Sequence, residues 1–136
     1  MIAIEHWGLI EYRSAWQKQH ELVKRVQSGD APNTLVFCHH PTVVTMGRNG
    51  SDANVIGDRS EMESKHIEVI PINRGGDVTL HNPWQLVGYP IFRLSDYKED
   101  LHWFLREIEQ CIIELVAKHG ISAKRIDGLT GVWTHE

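Results

Sequence analysis

Apolar side chains recur at helical spacing in two stretches of this chain and in extended runs in several others. Tyr12, Ala15, Trp16, Val23 and Val26 predict a helix from Glu11 to Gln27, closed by Ser28-Gly29. Gln19 interrupts its apolar face. Leu101, Phe104, Leu105, Ile108, Ile112, Leu115 and Val116 form a fuller stripe and predict a helix from about Lys98 to His119. Asp96 is its expected N-cap, and Gly120 its C-terminal residue with positive φ.

Extended segments lie between and beyond these helices. Thr34–His39 and Thr42–Met46 read as strands parted by Pro41, which lacks the N–H a central strand needs. Gly47 and Gly50 bracket Arg48 in a loop. Residues 51–66 are polar and irregular, with Gly57 as a breaker and a short helix near Ser60–Ser64. "HIEVIPIN" reads as a strand, and "WQLVGYPIF" as a second, largely buried one because its apolar run is nearly continuous. A short strand from Ile121 to Ile126 follows the long helix. Then come a Gly-rich turn, Asp127–Gly131, and a last strand opening at Val132-Trp133-Thr134. This order predicts a mixed α/β or α+β domain. The final strand starts so near residue 136 that the sequence reads as cut inside a domain.

Composition narrows the setting. A chain of 136 residues suggests one domain able to bury a core without staples. The net charge of -4, with no basic block, argues against a general nucleic-acid binder. No apolar run reaches transmembrane length, and the N-terminus lacks a secretory-signal pattern. Cys38 and Cys111 show neither disulfide nor zinc spacing, which fits a reducing compartment. The expectation is a soluble cytoplasmic protein.

The candidate chemistry lies in "NRGGDVTLHNPWQLVGYP", Asn73 to Pro90. Gly75-Gly76 removes two β-carbons in a row, so a ligand or another backbone can approach and two N–H groups can meet an oxygen. Arg74 adds a fixed charge, and Arg74 to His81 are expected to form one concave, partly exposed loop joining two strands. Thr79 and His81 are two apart and share a face on an extended chain. These groups suit a carbonyl, thioester or phosphate; spacing alone favours a tight hairpin turn with a surface arginine. Cys38-His39-His40 offers weak metal chemistry, because adjacent strand residues face opposite ways and no second ligand pair is visible. Cys111, among apolar helix residues, reads as a buried, inert thiol. Tyr12 and Trp16 read as core. P-loop, dinucleotide and Ser-His-Asp patterns are missing.

"RGGDVTLHNPWQLVGYP" resembles the lipoyl(octanoyl) transferase (lipoate-protein ligase B) signature, roughly R-G-G-x-x-T-x-H-G-P-G-Q-L-x-x-Y-P. "HHPTVVTMGRNG", "LHWFLREIEQCIIELVAKHGI" and "GLTGVWTHE" are similar to flanking pieces of that family, in order. The resemblance implies an α/β fold akin to biotin protein ligases and class II tRNA-synthetase cores, a mixed sheet with flanking helices. Residues 1–136 would be the N-terminal portion of one catalytic domain. It implies transfer of octanoyl from octanoyl-acyl carrier protein to a lysine of lipoyl domains, those of 2-oxoacid dehydrogenases and the glycine cleavage H protein, through a cysteine thioester. No cofactor, metal, nucleic acid or membrane is implied. Arg74, Gly75, Gly76, Asp77, Val78, Thr79, Leu80 and His81 match the substrate-contacting run. The family's catalytic lysine and cysteine are expected beyond residue 136, so no catalytic residue is assigned and the chain alone is expected to be inactive. Asn82 and Trp84 depart from the family's glycines. A non-catalytic homologue that binds acyl chains or carrier domains is the alternative; an ATP-dependent lipoate ligase is a third reading, disfavoured by the T-x-H-x-P-x-Q-L pattern.

Overall fold

A computed structural model of the chain describes residues 1–134; His135 and Glu136, which end the "GLTGVWTHE" piece, lie outside the described residues. The chain divides into two compact units, Met1–Phe92 and Arg93–Glu136. The fold is mixed α/β.

The first unit holds two mixed three-stranded sheets. In one, β1 (Ile2–Leu9) lies parallel to β2 (Asn33–His39), and β6 (Val87–Ile91) runs antiparallel on the far side of β2. In the other, β3 (Val43–Met46) is central, parallel to β4 (Glu68–Pro71) and antiparallel to β5 (Val78–His81). Parallel neighbours need a crossover rather than a hairpin. Helix α1 (Tyr12–Ser28) supplies it in the first sheet and α2 (Arg59–Ser64) in the second. The Asp58 carboxylate caps α2 by accepting from the Ser60 and Glu61 N–H groups.

Helix α1 ends where the sequence predicts. Gly29 takes φ 85° and its N–H meets the Val26 carbonyl. Leu22 and Val26 pack on Val36 and Ile91, with Trp7, Val23, Ala31 and Tyr89 around them. Tyr12, Val43 and Ile70 form a second cluster, joined by Ile72. Trp16, read as core, instead lies at the exposed edge of α1, its ring edge-on to His20. Its position on the stripe is right, but neither core cluster of this unit includes it.

Three further expectations are corrected in this unit. Strand β1 was not anticipated, because its alternation is inverted: Ile2 and Ile4 are exposed while Ala3, Glu5 and Trp7 face inward. Glu5 is satisfied there by the Trp7 indole N–H at 2.8 Å. Strand β6 starts at Val87 rather than Trp84, and only Ile91 is buried in it. It is an edge strand, which is why it tolerates Pro90 opposite Leu35. The Arg74–His81 run is also not one loop: 74–77 is the turn, and Val78–His81 is β5 itself.

The second unit contains α3 (Leu101–Ala117) and a two-residue pairing of β7 (Ala123–Lys124) with β8 (Trp133–Thr134). The N-cap of α3 is Asp100, not Asp96; its carboxylate accepts the Trp103 N–H at 2.9 Å. Gly120 takes φ 76° as expected. The Ile121 N–H reaches the Val116 carbonyl and the Gly120 N–H that of Ala117, a Schellman ending. Cys111, expected buried, is exposed. The residue α3 buries instead is Glu109, at 2% exposure. Its carboxylate accepts from Arg106 at 2.6 Å, Arg125 at 3.1 Å and the Gly131 N–H at 2.8 Å. These donors, Gly131 first, hold its pKa below the usual carboxylate value. Glu109 thereby ties the turn before β8 to the helix.

Candidate functional site

The site grows from the pairing of β3 with β5. Thr45 stands opposite Thr79, and Val43 opposite His81. Because strand side chains alternate, Thr45, Thr79 and His81 emerge on one face, while Val78 and Leu80 point to the other. Arg74 reaches this face from the preceding turn. Its Nη2 donates to the Thr45 carbonyl and hydroxyl, both at 3.0 Å, and to the Thr79 hydroxyl at 2.8 Å. Its Nη1 donates to the Gly75 carbonyl at 2.9 Å. A guanidinium carries five N–H donors. The Nε–H therefore has no hydrogen-bond partner among the described residues.

The glycines do two jobs. Loop 47–50 folds onto the Arg74–Asp77 turn through backbone bonds: the Gly47 N–H meets the Asp77 carbonyl, Arg48 that of Arg74, and Asn49 that of Gly76. A β-carbon on Gly47 would sit 2.5 Å from the Gly76 oxygen and 2.9 Å from that of Gly75, so only glycine allows this approach. Gly76 has φ 80°, while a β-carbon on Gly75 would meet open space. The N–H groups of Gly75 and Gly76 donate no hydrogen bond among the described residues.

Beneath the polar face lies a cluster of rings. The Tyr12 ring stacks on His81 at 5.9 Å and meets His40 edge-on at 5.2 Å; His40 and His81 lie 5.7 Å apart. His40 is fully buried. Its Nδ1 lies 2.8 Å from the Ile10 carbonyl, which can only accept, so Nδ1 carries the proton. In the neutral ring Nε2 then accepts from the Tyr89 hydroxyl at 2.8 Å, with the Cys38 sulfur at 3.6 Å. Burial drives the Tyr89 phenol far above its ordinary pKa; a hydrogen bond with Gln19 acts the other way, which gives the polar residue on the α1 face its partner. Burial also raises the Tyr12 phenol, against the opposing pull of Arg74.

His81 is fixed by the same logic. Its Nδ1 donates to the Gln85 side-chain oxygen at 2.9 Å, leaving Nε2 as an acceptor 3.5 Å from the Thr45 hydroxyl. Burial lowers its pKa below 6.5; the Gln85 hydrogen bond opposes this, and His40 and Arg74 add to it. A neutral imidazole beside a fixed guanidinium and two bare glycine amides can accept at one atom and donate to an oxygen at others.

The run Arg74 to His81 is thus sorted by the fold. Arg74, Thr79 and His81 converge, and Gly75 and Gly76 present backbone beside them. Asp77 turns away, its carboxylate accepting from Asn54 at 2.6 Å. Tyr12, His40, Thr45, Gln85 and Tyr89 were not anticipated as parts of this cluster. The Cys-His-His run does place Cys38 and His40 on one side, but in contact with each other and Tyr89. Burial raises the Cys38 thiol pKa. A cleft of about 530 Å³ is lined by Tyr12 together with Arg13, Pro41, Thr42, His66 and Ile70; Arg74, Thr79 and His81 do not line it.

Residues 11–136 match the family of the lipoyl protein ligase A/B catalytic domain, and the chain belongs to that family. Among curated relatives, it is similar to octanoyltransferases of Cytophaga hutchinsonii, 41% identical over 97% of this chain and 59% of the relative, and Solibacter usitatus, 45% identical over 95% and 59%. The chain therefore spans about three-fifths of their length. Among solved structures, lipoate-protein ligase A bound with ATP superposes with a TM-score of 0.67 at 13% identity, covering 98% of this chain and 57% of that one. A bi-partite lipoate protein ligase from Thermoplasma acidophilum gives 0.65 at 14% identity, covering 93% and 49%. At such identities these two speak for the fold. No helix among the described residues is long and apolar enough to cross a membrane.

Proposed function

We propose that this chain forms part of an octanoyltransferase that moves an octanoyl group from acyl carrier protein to a lysine of a lipoyl domain. The observation that carries the reading is the face made by Arg74, Thr79 and His81 beside the bare backbone of Gly75 and Gly76. The relatives named octanoyltransferase support it.

On this reading the thioester carbonyl lies against the Gly75 and Gly76 amides and the free N–H of Arg74. Donors held in place before the reaction stabilise the charge that develops on that oxygen when a nucleophile adds. His81, kept neutral, offers Nε2 as an acceptor on the same face. Thr45 and Thr79 fix the guanidinium rather than touch the substrate. Cys38 does not carry the acyl group: it is buried with a raised pKa, and a thiol rather than a thiolate is a poor nucleophile. On this reading the described residues supply the face that binds and polarises the acyl thioester, and transfer by these residues alone is not expected.

The test uses the purified chain with octanoyl-pantetheine, followed by calorimetry, and with octanoyl-acyl carrier protein plus a lipoyl domain, followed by intact mass. Expected results are binding of the thioester, weakened in His81→Ala, and an unchanged mass of the lipoyl domain. Absence of thioester binding would remove the substrate-site reading. Octanoylated domain, lost in Cys38→Ser or Cys111→Ser, would show that the nucleophile is one of these two.

A further inference from the structure

His40 is not part of the face made by Arg74, Thr79 and His81, yet it is fully buried against it and bonded at both ring nitrogens. Nδ1 donates to the Ile10 carbonyl and Nε2 accepts from the Tyr89 hydroxyl, each at 2.8 Å. Ile10 follows β1 and Tyr89 lies in β6, so the ring is tied to two segments of the first sheet. It cannot turn, or exchange its nitrogens, without breaking one of these bonds. Two other rings rest on it. Its plane stands at 63° to Tyr12 and at 81° to His81, with centroids 5.2 and 5.7 Å away. Tyr12 in turn lies along the His81 ring, at 26° and 5.9 Å.

The last torsion of a histidine side chain is soft and has two wells a half-turn apart. For His81 the two are not equivalent. In the observed one, Nδ1 donates to Gln85 and Nε2 faces the Thr45 hydroxyl. A half-turn breaks the Gln85 bond and puts carbon Cε1 where Nε2 was, so the face loses its acceptor. The Gln85 bond is open to water and holds the ring only weakly by itself. To turn over, the imidazole must pass through an orientation crosswise to Tyr12, and His40 stops Tyr12 from moving aside. We propose that His40 is a positioning residue for His81. Locked by Ile10 and Tyr89, it holds the imidazole, directly and through Tyr12, with Nε2 on the face shared with Thr45. The use of that nitrogen as an acceptor rests on the acyl-transfer reading above; the packing of the rings does not. A His40 that only filled space would affect stability and leave the state of the His81 ring alone.

The test reads that ring. Imidazole nitrogen NMR spectra at pH 8 report which nitrogen carries the proton, and the His81 signal is identified by its loss in His81→Asn. The wild-type chain should show His81 with its proton on Nδ1 alone. A flipped ring has no Gln85 oxygen to hold that proton, so both nitrogens share it. His40→Asn keeps a donor for Ile10 but removes the ring, and should convert His81 to such a mixture. Tyr89→Phe deletes one oxygen, frees His40 to pivot on its Ile10 bond, and should give a smaller shift of the same kind; it carries the test if His40→Asn does not fold. Val26→Ala, which truncates the core cluster that holds Leu22, Val36 and Ile91, is the control for lost stability and should leave the signal in place. Calorimetry with octanoyl-pantetheine should show affinity falling about twofold in His40→Asn, as when half the rings are turned away. A single Nδ1-protonated His81 in both site variants, or a mixture as large in Val26→Ala, would overturn the positioning role. A mixture in His40→Asn, in a protein whose wild type binds no thioester, would uphold that role and remove the acyl-site reading.

Discussion

Replacing Arg74 with alanine tests whether this side chain is the pin that holds the site together. Its Nη2 serves three oxygens on β3 and β5, and two of them belong to Thr45, which is fully buried. Truncation strips the donor from these two. A buried acceptor left without its donor costs roughly 1–3 kcal/mol, and partial access of water through the half-buried Arg74 position puts each near the lower end. The sum is about 2–3 kcal/mol, a large share of the ~5–15 kcal/mol that keeps a domain folded. In urea, where small proteins lose about 2 kcal/mol per molar, the unfolding midpoint should fall by about 1–1.5 M. Tryptophan fluorescence reports it, since Trp7 packs against the core. Arg74→Lys keeps the charge but not the planar fork, and a single ammonium cannot span Thr45, Thr79 and Gly75 together. It should recover less than half of the loss. A midpoint unchanged in Arg74→Ala, or fully restored by lysine, would refute the argument that fork geometry matters.

Two further outcomes follow from neighbouring groups. Gly47→Ala forces a β-carbon to 2.5 Å from the Gly76 oxygen, so loop 47–50 must lift from the 74–77 turn; a loss of about 1–3 kcal/mol in urea unfolding is expected, with faster amide exchange at Gly47 and Asn49. The His81 pKa is depressed, so the unfolded chain binds its proton more readily; this contribution to stability is complete above pH 6.5 and is lost as pH falls through the lower folded value. Thermal melts from pH 8 to 5 should show an acid-side decline that is shallower in His81→Asn; equal slopes would contradict the burial argument.

Much of the local structure was legible because local rules decide it. The apolar period of α1 and α3, the positive-φ glycines at 29 and 120, and the short helix after Asp58 all follow from steric and capping preferences of neighbouring residues. The candidate face was legible in part for the same reason. Thr79 and His81 are two apart on one strand, so their common face needs only the pleat, and the Gly75-Gly76 pair announces close approach. Misreadings arose where an element's role depends on what covers it. The inverted alternation of β1, the thin burial of β6, the exposure of Trp16 and Cys111, and the buried carboxylate of Glu109 depend on partners distant in sequence. The completed site is of this second kind. Arg74 meets Thr45 across 29 residues, Thr45 meets His81 across 36, and His40 meets Tyr89 across 49. Each residue is unremarkable in its own stretch of chain. Strand pairing brings them together, in a surrounding dry enough to fix which ring nitrogen holds the proton.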